Sequence, residues 1–367
     1  MRYLVFTNTP AHVHLYRNAV STLRERGHDV LVLARDYGCT VDLLEWYDLP
    51  FRVYGYCGTS KGSLVRRLPG HYARIFRRAL GYDPDLVFGM GGYAAHAGFV
   101  TGATTVLVLD SEPTTLDHAV SRPFADAIIT PDSFRGDLGD DHYVFPGFKE
   151  CAYLHPEVYE PRPNVRSELG VGPDERYVLV RFNAFGSHHD IGEGGFTPEQ
   201  RRTLVERLAA SATVFVSDEG DTMDLGGLPA RRFDIPPALM HDAISEASLL
   251  VADTQTIVTE AALLGTPVVR SNSFVGENDM GNFRELERAG LVRNVRSFER
   301  VIETVSELLA DRETSERWRR RREEYVRGKV NLTEVIVETA VTGGAVDRVP
   351  ALERRGRSAP TAATGGE

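Results

Sequence analysis

At 367 residues the chain is longer than one hydrophobic core ordinarily organises, so two domains are expected. Its 42% hydrophobic and 26% charged residues are those of a globular protein, and no stretch approaches the roughly 18 uninterrupted apolar residues of a membrane span. A net charge of -10 argues against a general nucleic-acid binder, which would be basic.

The start, "MRYLVFTNTP", enters a strand at once and lacks the apolar core of a signal peptide. Three scattered cysteines (Cys39, Cys57, Cys151) with no CxxC fit a reducing compartment, and a cytoplasmic protein without a structural zinc is expected. Along the first half, "RYLVF", "DVLVLA", "FRVYGY", "DLVFG", "TTVLVLD" and "DAIIT" read as strands. Helical stretches separate them: "AHVHLYRNAVSTLRERG", "TVDLLEWYDL", the segment 62–80 and "GYAAHAGFVTG". Val/Leu/Ile runs alternating with helices predict a parallel sheet covered on both faces.

Pro156, Pro161, Pro163 and Pro173 then interrupt any apolar period, which places a linker over 151–173. Beyond it the alternation resumes with "RYVLVRF", "TPEQRRTLVERLAAS", "ATVFVS", "PPALMHDAISEA", "SLLVAD" and "VADTQTIVTEAALLGTPVV". A helix near 281–289, "FERVIETVSELLAD" and two further helical stretches close the second unit. The expected organisation is an N-terminal Rossmann-like domain over 1–150 and a C-terminal Rossmann-like domain over 174–342. The tail, 343–367, lacks an apolar face and is expected to be disordered. Two doubly wound sheets bring their strand C-termini to opposite sides of one cleft, the edge at which open α/β sheets bind ligands.

In the second unit, "LLVADT" carries a strand to that edge and sets Asp253, Thr254 and Gln255 at the turn into a helix. Backbone N–H groups at such a terminus, with the helix dipole behind them, suit a diphosphate. Glu260 follows Thr256 by one turn, on a different face from the packing stripe Ile257, Ala261 and Leu264. It can point into the cleft and hold the two hydroxyls of a ribose, or it can be an ordinary exposed helical Glu; periodicity leaves both open. "RFNAFGSHHDIGEGG" (181–195) forms a glycine-rich loop at the cleft edge, with Gly186 and Ser187 suited to backbone contact with phosphate. Arg181 adds a cation, and one of His188 and His189 a donor-side contact. His188, His189 and Asp190 in succession are poor evidence for a metal, because neighbours in an extended chain point to opposite sides.

Two near-matches point elsewhere. "GYCGTSKGS" (55–63) has Ser60 where a P-loop needs glycine before its lysine. "GMGGYA" (89–94) fits a dinucleotide fingerprint, with Asp110 about 20 residues on, but it follows the fourth strand rather than the first. An NAD-dependent oxidoreductase is therefore the outsider.

"VADTQTIVTEAALLGTPVV" resembles the donor-nucleotide segment of GT-B enzymes, both MurG-like glycosyltransferases and non-hydrolysing UDP-N-acetylglucosamine 2-epimerases. The resemblance implies a GT-B fold, two Rossmann-like domains facing across a cleft, and a ribose-holding role for Glu260. The family's preceding Ser-Gly is Thr254-Gln255 here. "ENDMGNFRELERAGLV" resembles the MurG-type stretch ending in "NA..L...GA", which puts Asn282 on its Asn and Asp279 where a sugar-contacting Gln is usual. "TNTPAHVHLY" resembles the first loop, "GTGGH..P", matching His12 to the family His, with Pro10 and Ala11 in place of glycines. "FGMGGYAAHAGFVTGATTVLVLDSE" resembles "G.GGY...P...A" and a following acidic cluster, so Gly91, Gly92, Tyr93 and Asp110 fall on the acceptor side. The likeness is greatest to an uncharacterised, largely archaeal family of GT-B-like proteins, which carries no reaction with it.

The chemistry of inverting transfer asks for a base near neutral pKa, which His12 at the mouth of the first helix fits, with Glu112 as the second catalytic candidate. His14, two residues on, faces away from His12 in a helix and is the weaker candidate. The leading expectation is a metal-independent glycosyltransferase using a nucleotide sugar, UDP-linked, as substrate, with no cofactor and a glycan or lipid-linked acceptor. The alternatives are a UDP-N-acetylhexosamine 2-epimerase, whose acid after the fourth strand is missing from "FGMGG", and a GT-B scaffold that binds without turnover. Arg66, Arg67, Arg74, Arg77 and Arg78, interleaved with Leu64, Leu68, Ile75 and Phe76, suggest peripheral contact of 61–80 with an anionic membrane, although Pro69-Gly70 is expected to interrupt that helix.

Overall fold

Continuous apolar runs form short parallel strands because both faces of each strand must be covered, and the intervening helices cover them. The computed structural model describes residues 1–56, 61–183, 194–220, 223–277 and 279–356. The N-terminal lobe runs β1 (Arg2–Thr7), α1 (Pro10–Glu25), β2 (Asp29–Asp36), α2 (Thr40–Trp46), β3 (Phe51–Tyr56), α3 (Lys61–Tyr82), β4 (Leu86–Gly89), α4 (Gly92–Thr101), β5 (Thr104–Val108), α5 (Thr115–Ser121), β6 (Ala127–Pro131) and β7 (His142–Phe145). The chain then passes through α6 (Cys151–Leu154) and α7 (Val165–Glu168). The C-terminal lobe follows as β8 (Tyr177–Phe182), α8 (Pro198–Ala209), β9 (Thr213–Asp218), β10 (Arg231–Arg232), α9 (Met240–Glu246), β11 (Leu249–Ala252), α10 (Thr256–Leu264), β12 (Val268–Arg270), α11 (Gly281–Arg288), β13 (Arg293–Asn294), α12 (Phe298–Ala310) and α13 (Thr314–Val326). It closes with α14 (Leu332–Val341) and β14 (Glu353–Arg354).

The two sheets repeat one topology. The first has the order β14-β7-β6-β5-β4-β1-β2-β3 and the second β10-β9-β8-β11-β12-β13. Each lobe's first strand therefore lies between its second and fourth, and the strand order reverses beside it, the usual ligand-binding edge of a doubly wound sheet. Pairing is parallel throughout except for β14 on β7. Strand alternation divides the N-terminal core: Tyr3 and Val5 join the apolar mass that continues through α6 and α14 into the C-terminal lobe. Leu4 and Phe6 point the other way, into a separate cluster with Ile75, Ala79 and Ala94.

Three expectations change. The sequence reading passed over β7, whose "HYVF" is only four residues long. Residues 343–356 are ordered rather than disordered: Val346, Val349 and Leu352 are buried, and Glu353–Arg354 pair with Val144 and Tyr143 on the edge of the first sheet. α14 likewise returns to the N-terminal lobe, packing on α1 and α6, with Tyr3 donating to the Ala340 carbonyl at 3.1 Å. The reason is an uncovered stripe on α1 and an open sheet edge, both of which the chain's own C-terminus covers. Pro69 does not end α3, which runs Lys61–Tyr82 through the exposed proline and forgoes the one backbone hydrogen bond its missing N–H would have made. Among the described residues no helix is long and apolar enough to cross a membrane.

Candidate functional site

α10 is apolar on nearly every side, with Ile257, Val258, Ala261, Ala262 and Leu263 buried, and Glu260 is buried with them at 6% exposure. This is not an exposed helical glutamate. Its partners come from outside its own helix. Tyr153 of α6 donates its hydroxyl to Glu260 Oε1 at 2.9 Å, and His241 Nε2 of α9 donates to the same oxygen at 3.0 Å. His14 of α1 packs edge-on against the His241 ring at 4.6 Å and lies 5.3 Å from Tyr153, so a cluster from both lobes closes over the carboxylate. Burial pushes the Glu260 pKa up, but His241, the two hydrogen bonds and Lys149 outweigh it, and the net shift is downward. Glu260 is thus an anion at the seam between the lobes.

At the turn into α10, Thr254 is buried and its Oγ1 has no hydrogen-bond partner among the described residues. The N-cap residue Gln255 makes no side-chain cap either. A buried hydroxyl and helix-start amides left without a side-chain cap can hydrogen-bond the oxygens of a ligand. Thr256, the first residue of the helix, is half-buried beside it.

Across the seam, the N-terminal lobe contributes a polar recess lined by Asp110, Glu112, Ser133, Lys149, Glu150 and, from α11, Asn282. Lys149 Nζ donates to Asp110 Oδ2 at 2.5 Å and lies 3.8 Å from Glu150 Oε1. Burial opposes the lysine's charge, but Asp110 and Glu150 overcome it, and its pKa is raised. Burial dominates at Glu150, which is pushed up to about 8 despite Lys149. Asn282 extends Nδ2 toward Thr259 Oγ1 at 3.5 Å and leaves its Oδ1 buried without a partner among the described residues. His12 lies close enough to this recess to feel both Lys149 and Asp110.

Several candidates are committed elsewhere. Asp253 faces inward: its oxygens accept the Asn183 amide at 2.7 Å and the Phe196 amide at 3.2 Å, stapling the two ends of the segment that joins β8 to α8. Burial raises its pKa to about 6 against those amides and Arg201. Asp279 is locked by Arg270 in a two-pronged ion pair, at 2.6 and 3.0 Å, and is almost fully buried, so it does not offer a sugar contact. Arg181 pairs within its own sheet, with Ser217 at 2.5 Å and Glu219 at 2.6 Å. Tyr93 turns away from the cleft, its hydroxyl 2.9 Å from His71 Nδ1 beneath α3. Glu112 does reach the cleft, but one oxygen already accepts the amides of Arg135 and Gly281, both at 3.2 Å. With Arg135 Nη2 donating to the Asp279 carbonyl at 2.7 Å, this forms a latch between the lobes. Gly186, Ser187, His188 and His189 lie outside the described residues.

The glycines of "GMGGYA" have a packing explanation. A Cβ on Gly89 would stand 2.4 Å from the Ala94 Cβ, and one on Gly91, whose φ is +86°, 2.2 Å from an Asp117 carboxylate oxygen. Asp117 also accepts the Gly92 amide at 3.2 Å, so the chain's own carboxylate occupies the place where a dinucleotide's pyrophosphate would sit. Lys149, Glu150, Tyr153 and His241 are not among the residues that sequence motifs single out. Their signal was slight: a Lys-Glu pair set into the apolar run "PGFKECAYL" (146–154), holding one of only three lysines. His14 packs against Tyr153 and His241, the two partners of Glu260.

No family model matches the sequence. An uncharacterised protein of Methanocaldococcus jannaschii is 24% identical over 288 residues, 73% of this chain and 80% of that protein. The UDP-GlcNAc 2-epimerase of Neisseria meningitidis, solved bound to UDP-GlcNAc, superposes with a TM-score of 0.63 at 14% identity, covering 93% of this chain and all of that one (100%). MurG of Acinetobacter baumannii superposes with a TM-score of 0.54 at 17% identity, covering 93% and 99%. The fold is thus GT-B, shared with nucleotide-sugar epimerases and with MurG, as the sequence motifs implied.

Proposed function

We propose that the protein binds a nucleotide sugar, uridine-linked, between its lobes and transfers the sugar to an acceptor without a metal. One observation carries the reading: Glu260, an anion buried at the seam, stands one turn into a helix whose first turn presents an unpaired Thr254 hydroxyl. A carboxylate there accepts hydrogen bonds from two ribose hydroxyls, while the helix amides and Thr254 meet the diphosphate. Asn282 and Lys149 supply an unpaired acceptor and a cation for the sugar and the departing charge. Tyr153 and His241 both donate to Oε1 of Glu260, so a ribose hydroxyl that takes that oxygen displaces them.

A second reading, epimerisation at C2, is favoured by the group of three carboxylates around Lys149: Asp110, Glu112 and Glu150. Three acids are more than acceptor deprotonation needs, and removal and return of a carbon-bound proton uses several. The test is incubation with UDP-sugars, without and then with candidate acceptors. UDP release that depends on acceptor supports transfer, whereas inversion at C2 without acceptor establishes the second reading. Failure to bind any nucleotide sugar overturns both. Peripheral membrane contact belongs to the same proposal: Arg66, Arg67, Arg74 and Arg77 are exposed on α3, and Phe99, Leu116 and Val120 on the neighbouring α4 and α5.

A further inference from the structure

His12 is the third residue of α1, and its side chain curls back over the helix start, where the Asn8 backbone N–H donates to Nδ1 at 3.2 Å. A ring nitrogen that accepts must carry a lone pair, so the proton of the neutral imidazole resides on Nε2. Asn8 has little freedom to withdraw. Arg35 Nε donates to its carbonyl at 3.0 Å, the Tyr54 hydroxyl donates to its Oδ1 at 2.8 Å, and its Nδ2 reaches the Met90 carbonyl at 3.5 Å. Before His12 could accept a proton at Nε2, its existing proton would have to move to Nδ1, which sets two N–H donors against each other. The fully protonated ring meets the same conflict.

From this arrangement we infer that His12 serves the cleft as a neutral hydrogen-bond donor through Nε2, not as a base. The surroundings agree. Burial, then Lys149, depress the His12 pKa, Arg35 adds to them, Asp110 opposes them, and the result is about 3. The positive end of the α1 dipole disfavours a cation at the same position. A neutral imidazole of this kind polarises an oxygen, here a diphosphate or sugar oxygen of the ligand, and leaves proton removal to the carboxylates of the recess. The role given to the ligand rests on the nucleotide-sugar reading; the protonation state does not.

The test is multiple-bond 1H–15N NMR of ligand-free protein labelled in its 11 histidines, with the His12 signals assigned by their loss in His12→Gln and, independently, in His12→Asn. The expected result is a pyridine-like Nδ1 and a pyrrole-like Nε2 that do not titrate between about pH 8 and pH 5. A proton on Nδ1, or a midpoint near 6.5, overturns the inference whatever the protein binds. In a turnover assay His12→Gln keeps an N–H donor and loses the base. A loss under roughly ten-fold agrees with the inference, and a loss of roughly 10²–10⁴-fold, the usual worth of a general base, contradicts it.

Discussion

The turns β4–α4 and β11–α10 occupy equivalent places, each after the strand beside its lobe's central first strand, and each starts a short, largely buried helix. They are put to opposite use. At β4–α4 the chain fills its own anion site: Asp117 sits on the Gly91–Gly92 turn, and Tyr93 is tied inward to His71. At β11–α10, among the described residues, no carboxylate caps the helix start and Thr254 is left unpaired; the acid stands a turn further on, facing Tyr153. The same backbone device is self-satisfied in one lobe and open in the other, so glycines at a strand–helix turn are weaker evidence of a ligand than an unpaired polar atom there.

The largest effect should come from removing the open turn's acid. Glu260→Ala is expected to weaken UDP binding by about 1.5–3 kcal/mol for each charged hydrogen bond lost, roughly ten-fold to more than a hundred-fold. Titration calorimetry on folded protein reads this directly, and an unchanged affinity would make Glu260 a purely structural partner of Tyr153 and His241. Gly91→Ala comes next, because it drives a Cβ into Asp117 at a φ of +86°. A fall in Tm worth about 1–3 kcal/mol is expected, with UDP affinity retained; loss of UDP binding together with retained Tm would reverse the assignment of the two turns. Thr254→Val separates the turns more finely. It removes a buried unpaired hydroxyl, so Tm should hold or rise while UDP affinity drops several-fold, by about 1 kcal/mol.

Acidity probes the two sides of the recess with opposite sign. The His12 and His14 pKa values are lowered in the folded protein, burial being the first cause at both. The stability this reflects is present above about 6.5 and is lost as pH falls toward the folded values. Glu150 is raised to about 8, so its contribution is present below the unfolded carboxylate range and is lost as pH rises through 8. Melting curves should therefore lose part of the destabilisation below about pH 6.5 in His12→Gln, and part of the loss between the unfolded carboxylate range and about pH 8 in Glu150→Gln; the reverse pairing would refute the assignment. The smallest expected effect is on vesicles. Anionic vesicles should retain the protein better than neutral ones, and less so after Arg66→Ala with Arg77→Ala, whereas equal sedimentation with both lipids would remove the membrane contact.

Pattern and composition were enough for the two α/β lobes and the parallel sheets, because a period of apolar residues is a local property of the chain. They could not show that Asp253 and Asp279 are consumed by partners in the fold, since Asn183, Phe196 and Arg270 reach them only when strands align. Nor could they bring His14, Tyr153, His241 and Glu260 together from four separate elements. Which polar atoms remain unpaired, and so available to a ligand, was decided by tertiary packing alone, because satisfying a buried group is a question of who arrives next to it.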